Sequence, residues 1–329
     1  MSNTKFSIII PVYNAAKHLE DCLESCLNQV PFKVGIDYEI ICINDGSSDN
    51  SPQILAEYKK RGVTVICQDN CGVSVTRNKG LDIARGEYIW FVDSDDAVKA
   101  NVLSEMYSLL KSCNADGCAF RTKIVSESYV ICDAADSRNL LIIANTPPQM
   151  NNAFSVIIAR TYLNKHKIRF NTTMTYGEDT LFVFYLRLYK HKFIYLDNEL
   201  YFYRQVSTSA MHQKNENAME KSFNAQLQML AEYKSILDNW DTELYTGDAK
   251  PQERYYWMVQ NILFSLLRYD KTRRLEIFNY LKCAGHYPYP ILWSRLIHNS
   301  NSKTTLLINL FSLLFPLEWY YRIIMRLLK

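Results

Sequence analysis

Four short apolar runs, at residues 6–10, 38–43, 63–67 and 88–92, alternate with segments of helical period at 15–29, 51–60, 74–85 and 101–113. Apolar runs without polar alternation suit strands buried on both faces. A β-α-β-α order then calls for a mostly parallel sheet with helices on both faces. In the first helical segment Leu19, Cys22, Leu23, Cys26 and Leu27 share one face, and Pro52 stands in the first turn of the second. The expected fold class is therefore α/β.

In such a sheet ligands bind beyond the carboxyl ends of the strands. There the chain places Tyr13-Asn14, then Asn44-Asp45-Gly46-Ser47-Ser48-Asp49, then Asp69-Asn70, then Asp93-Ser94-Asp95-Asp96. Three of these four clusters carry carboxylates. Asp93 and Asp95, two residues apart on a bend, offer oxygen ligands suited to Mg²⁺ or Mn²⁺. Such an ion offsets the charge that develops on a departing diphosphate. The alternative is a solvated acidic turn before the next helix, and alignment with the other clusters argues against it. No G-x-x-x-x-G-K-[ST] or G-x-G-x-x-G pattern follows the first strand, which argues against a P-loop NTPase and a dinucleotide-binding dehydrogenase.

Five motifs in order carry a resemblance: Pro11-Val12-Tyr13-Asn14; Asn44-Asp45-Gly46-Ser47-Ser48-Asp49; Asn70-x-Gly72-Val73-Ser74-x-x-Arg77-Asn78-x-Gly80; Gly86-Glu87-Tyr88-Ile89-Trp90-Phe91-Val92-Asp93-Ser94-Asp95-Asp96; and Gly177-Glu178-Asp179 with Phe182. Tyr201-Phe202-Tyr203-Arg204 with Ser207 and Ser209 extends the match to about residue 212. Together they resemble the family 2 glycosyltransferases of GT-A fold that build bacterial polysaccharides. The resemblance implies inverting transfer of a hexosyl or N-acetylhexosaminyl group from a nucleotide-diphosphate donor, a UDP-sugar in the commonest case, to a glycan or lipid-linked acceptor hydroxyl.

By motif position the resemblance implies donor binding by Pro11, Tyr13, Asn14, Asp45, Asn70, Arg77, Asp93, Ser94, Arg204 and His212. Tyr13 would line the base, Asp45 read the base or ribose edge, and Arg77 touch nucleotide or phosphate. Asp93 would face ribose or sugar. Asp95 would hold the metal, and His212 could reach metal or diphosphate. Arg204 has two readings, a diphosphate clamp or a structural partner for a nearby acid. Asp179 would be the catalytic base with Glu178 beside it. At a helix start, partial positive charge favours an ionised carboxylate, and Glu178 opposes that. Three departures stand out. Asn44 replaces the commoner first Asp, Val75-Thr76 replace small residues, and residues 153–162 show Phe154, Val156 and Ile157 where a Trp-x-Lys signature lining the acceptor side is usual.

Residues 114–213 are mixed, with strand-like stretches at 123–131 and 193–196 and a helical one at 178–190. After residue 214 the pattern is helical: Met219, Phe223, Leu227, Leu230 and Leu237 fall on one face. The expected division is a GT-A nucleotide-sugar-binding and catalytic domain at 1–213, a helical region at 214–303 and an amphipathic tail at 304–329.

Charge separates along the same line. From Lys250 onward there are 12 Lys and Arg against 4 Asp and Glu, whereas the first 249 residues carry 25 against 30. In the tail the polar stripe Glu318, Arg322, Arg326 and Lys329 alternates with Trp319, Tyr320, Ile323, Ile324, Leu327 and Leu328. The apolar run before it, 306–315, falls short of the roughly 20 residues a spanning helix needs. An in-plane helix on an anionic membrane surface fits, and a helix packed on protein is the alternative. Nucleic-acid binding is not expected, because the basic residues are scattered among apolar ones.

The first apolar run leads into Pro11 without a small-residue cleavage site, so it reads as a strand rather than a signal peptide. Nine cysteines, an odd number without C-x-x-C spacing, suit reduced thiols in the cytosol. The expected location is cytoplasmic and peripheral on the inner face of the cell membrane. Two other readings are a nucleotidyltransferase-like enzyme and a non-catalytic membrane-associated scaffold. The first lacks its Gly-rich basic loop after strand one, and the second predicts a lost acidic motif where none is lost.

Overall fold

The apolar runs become the centre of a sheet. The computed structural model describes residues 4–129, 141–144, 152–174, 176–205, 216–265 and 271–286. Strands β1 (Phe6–Val12) and β2 (Tyr38–Asp45) are buried along their whole length, as is β4 (Tyr88–Phe91). β3 (Thr64–Gln68) lies at the sheet edge and is partly exposed. The remaining strands are β5 (Ala97–Val98), β6 (Gly117–Ser126), β7 (Val156–Ala159) and β8 (Phe193–Gln205). They form one eight-stranded sheet in the order β3-β2-β1-β4-β7-β6-β8-β5.

The four sequence-predicted strands pair in parallel, β1 with β2 and β4, and β2 with β3. Beyond β4 the sheet turns mixed. β7 runs antiparallel to β4 and β6, β6 runs parallel to β8, and β5 is antiparallel to β8. The segment 153–162, which departs from the usual signature, forms a 3-10 turn at Ala153–Ser155 and then β7. Phe154, Val156 and Ile157 are all buried there, and Trp90 Nε1 donates to the Phe154 carbonyl at 3.0 Å. A four-residue strand with no polar partner residues gives little period to read. The predicted strand at 123–131 begins earlier, at Gly117, and ends at Ser126, with 130–131 outside the described residues.

Helices α1 (Leu19–Leu27), α2 (Ser51–Lys59), α3 (Val73–Ile83) and α4 (Leu103–Ser112) fill the crossovers, and α5 (Arg160–Lys165) and α6 (Glu178–Leu188) follow. Strand order reverses at β1. Right-handed crossovers therefore put α1 and α2 on one face and α3 on the other, and leave a crevice at the ends of β1 and β4. The α3 face packs closely: a Cβ on Gly80 would lie 2.4 Å from Ile9 Cγ2.

Three further helices are α7 (Glu216–Asp238), α8 (Pro251–Ser265) and α9 (Lys271–Cys283). The chain divides into two compact units, Met1–Met229 with Asn239–Pro251, and Leu230–Asp238 with Gln252–Lys329. In the second unit Leu230, Tyr233, Val259, Ile262, Ile277 and Leu281 are buried, and the Tyr255 hydroxyl lies 3.0 Å from His286 Nδ1. Among the described residues no helix is long and apolar enough to cross a membrane. The tail at 304–329 lies outside the described residues, as do Ser207, Ser209 and His212.

Candidate active site

The ends of β1 and β2 lock together through side chains. Asn14 adopts a left-handed backbone with φ +50, a conformation asparagine tolerates. Its amide donates to Ser47 Oγ, and its Oδ1 accepts from the Ser48 amide at 2.8 Å. Ser51 Oγ and Asp49 Oδ2 take the amides of Ala15 and Ala16. These bonds delay α1 to Leu19, four residues later than its hydrophobic period suggests. Pro11 is buried in β1, while Tyr13 remains 54% exposed beside this loop, available as a stacking surface.

Asp45 has a structural task in the loop after β3. Its carboxylate is buried and accepts from the amides of Cys71 and Gly72 and from Gln68 Nε2. It therefore shapes the loop ahead of α3 rather than presenting a free edge to a base. Gly72, with φ +88, supplies the turn, and Asn70 stands exposed on the same loop.

Arg77, on α3, is the centre of the site. Its side chain is 4% exposed. Nη2 donates to Asp93 Oδ1 at 2.8 Å, and Nη1 donates to Asp179 Oδ1 at 2.8 Å and Glu178 Oε1 at 3.2 Å. One guanidinium thus joins the end of β4 to the start of α6. Next to it, Asn78 exchanges two hydrogen bonds with the Phe170 backbone, each 2.9 Å. The Phe170 ring lies under the Arg77 guanidinium at 5.1 Å and stacks on Phe182 at 4.1 Å.

The Asp93-Ser94-Asp95-Asp96 turn is held from β8. The Asp93 amide donates to the Tyr201 hydroxyl at 3.0 Å, and that hydroxyl donates to Asp96 Oδ2 at 2.6 Å. Asp96 Oδ1 accepts from the Arg204 amide at 2.7 Å. Arg204 resolves in favour of its structural reading. Its buried guanidinium donates to the carbonyls of Asp95, Glu127 and Tyr129 and to Asp21 Oδ2. A cavity of about 580 Å³ is bordered by His18, Asp21, Asn28, Glu127, Tyr129 and Arg204.

Tyr201 and Asp96 stand in the sequence motifs, but no role follows for either from the sequence alone. The readable signal was the Tyr three residues before Arg204, but its reach back to Asp93 spans 108 residues. Burial drives the acids upward. Burial first, and then the Asp93 charge, push the Asp95 carboxyl up to about 6. At Asp179 burial dominates, Arg77 opposes it, and Glu178 and Asp93 reinforce it, leaving the carboxyl raised to about 7. The sequence sets the helix start, which favours an ionised carboxylate, against Glu178, which opposes it, and the structure adds burial on the side of Glu178. The turn leaves the Asp179 side chain only 17% exposed, and that desolvation outweighs the partial charge of one helix end.

Burial and the nearby Asp93 charge raise the Asp95 carboxyl, and a hard cation beside it would offset both. The donor set of Asp95 with its neighbour Asp93 therefore fits Mg²⁺ or Mn²⁺ with water or substrate oxygens completing the shell. Among the described residues no three His, Cys, Asp or Glu side chains form a self-sufficient metal site.

The family model described as Glycosyl transferase family 2 matches residues 7–181. Poly(ribitol-phosphate) beta-glucosyltransferase of Bacillus spizizenii is 34% identical over 192 residues, 54% of this chain and 28% of that protein. The chain thus matches less than a third of that relative's length. Poly(ribitol-phosphate) beta-N-acetylglucosaminyltransferase TarP of Staphylococcus aureus is 28% identical over 307 residues, 91% of this chain and 88% of the relative. The crystal structure of S. aureus TarS 1-349 in complex with UDP superposes with a TM-score of 0.56 at 20% identity, covering 82% of this chain and 73% of that one. That likeness establishes a shared GT-A-like α/β fold.

Proposed function

The chain belongs to glycosyl transferase family 2, and from that premise we propose that it is a metal-dependent, inverting glycosyltransferase of bacterial surface-polymer synthesis. It moves a sugar from a UDP-sugar to a hydroxyl of a glycan acceptor, lipid-linked or on a growing chain. One observation carries this reading: Asp93, at the D-S-D turn, and Asp179, opening α6, meet on opposite arms of a single guanidinium. A turn suited to a diphosphate donor and a carboxylate suited to base chemistry therefore share one crevice.

Inversion at the anomeric carbon is a single in-line displacement. Asp179 takes the acceptor hydroxyl proton as the new C–O bond forms, the bond to the diphosphate breaks, and nucleoside diphosphate departs. A base with a pKa near the working pH serves this step best, and burial brings Asp179 to about 7. Tyr13 offers its exposed ring to the base of the nucleotide, and Asn14, Asn70 and Ser94 border the donor. Asp95, and by motif position His212, would hold Mg²⁺ or Mn²⁺, and the ion would supply positive charge beside the departing diphosphate. Donor and base chemistry belong to residues 1–213. The helical region 214–303 and the tail 304–329 serve acceptor and membrane, with the enzyme on the inner face of the cell membrane.

The test is a donor panel with Mn²⁺ or Mg²⁺, following release of nucleoside diphosphate. The names of the similar proteins put a poly(ribitol-phosphate) chain among the acceptors to try. Asp179→Asn is expected to lower kcat on the order of 10²–10⁴-fold while leaving donor binding largely intact. Asp95→Asn is expected to weaken metal-dependent donor binding. Absence of binding or turnover with every nucleotide sugar would defeat the proposal and favour a scaffold.

A further inference from the structure

Arg77 is expected from its motif to touch the donor, yet its side chain is 4% exposed and both of its Nη atoms are taken by carboxylates. We propose instead that Arg77 is a positioning residue for the base, a buried clamp that fixes the Asp179 carboxylate against Asp93 without contacting the donor. This rests on the reading of Asp179 as the base.

Three elements converge on the guanidinium. α3 supplies it, the end of β4 supplies Asp93 at 2.8 Å, and the first turn of α6 supplies Asp179 at 2.8 Å and Glu178 at 3.2 Å. Phe170 closes one face at 5.1 Å and is itself wedged between Phe182 and Phe91 at 4.1 and 5.0 Å. Asn78, next in the chain, ties down the Phe170 backbone with two hydrogen bonds. Turning the guanidinium toward a ligand would break its bond to Asp93 or to Asp179, each largely shielded from water that could replace it.

The shape of the group matters as much as its charge. A planar fork donates in two directions at once, so one Arg orients two carboxylates that face each other across the crevice. A lysine ammonium is a single point and cannot span both. The clamp thereby holds Asp179 in one orientation before an acceptor arrives, which is where pre-organisation acts on rate. The charged groups facing Asp179 are Arg77, Glu178 and Asp93. Of these only Arg77 favours the ionised base.

The experiment separates positioning from donor contact. In Arg77→Lys, UDP affinity by calorimetry is expected within about 3-fold of the parent and the donor KM little changed, while kcat falls about 100-fold or more. In Arg77→Met the acid limb of the kcat–pH profile moves to higher pH, because the one charge favouring ionised Asp179 is gone. Glu178→Gln moves the limb to lower pH by removing a like charge, and it retains Arg77's hold on Asp93 and Asp179. If Arg77→Met yields no folded protein, Arg77→Lys and Glu178→Gln decide the question.

A loss of UDP affinity of about 10-fold or more in Arg77→Lys with kcat preserved would overturn the proposal in favour of a donor contact. Unchanged kcat and an unmoved acid limb in the Arg77 variants would leave only a packing role and overturn it equally. Asp179→Asn run alongside keeps the two readings apart. If that variant transfers sugar at the parent rate, the base assignment fails whatever Arg77 does. If it is inactive while Arg77→Lys is unaffected, only the clamp fails.

Discussion

Asp179 is where the motif and the surroundings pull in opposite directions. Its carboxyl is held up to about 7 by burial, against the charge of Arg77. The sign for stability follows. A folded-state pKa above the unfolded carboxylate value means the folded chain binds more protons between roughly pH 4 and 7, so this group lowers stability as pH rises through that window. Asp179→Asn removes the dependence. The melting temperature of the variant relative to the parent, without added metal, is expected to rise from pH 5 to pH 8. A difference that is flat or falls with pH would show the carboxyl to be unperturbed in the fold.

Tyr201 makes a second argument at this scale. It is fully buried, and its hydroxyl joins the Asp93 amide to the Asp96 carboxylate while its ring stacks on Phe154 at 4.4 Å. Tyr201→Phe keeps the stack and leaves a buried donor and acceptor unsatisfied. It is expected to cost about 1–3 kcal/mol in urea unfolding and to weaken UDP binding by disturbing the acidic turn. Unchanged stability and affinity would show that the turn is held by other bonds.

Elements carry the site into register. Gly177 precedes α6 with φ +75, where a side chain is strained, and a Cβ there would meet Met229 Cε at 2.6 Å. That turn aims Glu178 and Asp179 at Arg77. α3 brings Arg77 to meet them because Gly80 lets the helix sit against Ile9 of β1. Gly80→Ala is expected to destabilise the fold by overpacking of about 1–3 kcal/mol, offset by roughly 1 kcal/mol of better helix propensity. A chemical-denaturation midpoint at or above the parent value would contradict that close approach.

The parallel strands were legible because burial on both faces leaves an uninterrupted apolar run, as in Ile8-Ile9-Ile10 and Ile40-Ile41-Cys42-Ile43. β7 was not, because four residues flanked by turns show no period. The start of α1 was misjudged for another reason. Ser47, Asp49 and Ser51, far along the chain, bind the amides that would have begun it.

At the scale of the whole molecule, charge and chemistry separate. All the site residues that the structure describes lie in the first unit, which also holds most of the acidic residues of the chain. The basic excess begins at Lys250 and runs into the tail, where Arg322, Arg326 and Lys329 recur at helical spacing in the sequence. Deleting 304–329 is expected to move the protein from the membrane pellet to the soluble fraction of a cell lysate. Sedimentation with membranes after truncation would remove the membrane role of the tail.

By itself the sequence determined the α/β class, the order of the first four strands and helices, and which acidic clusters stand at the strand ends. These depend on period and on short-range chemistry, which survive in a linear string. Tertiary structure alone decided that Arg77 grips Asp93 and Asp179, that Tyr201 and Arg204 hold the acidic turn, and that Asp45 is turned inward. Each is a contact between residues separated by 16 to 109 positions, or a matter of burial. A side chain's partner and its distance from water are set by packing between elements, and no local pattern records them.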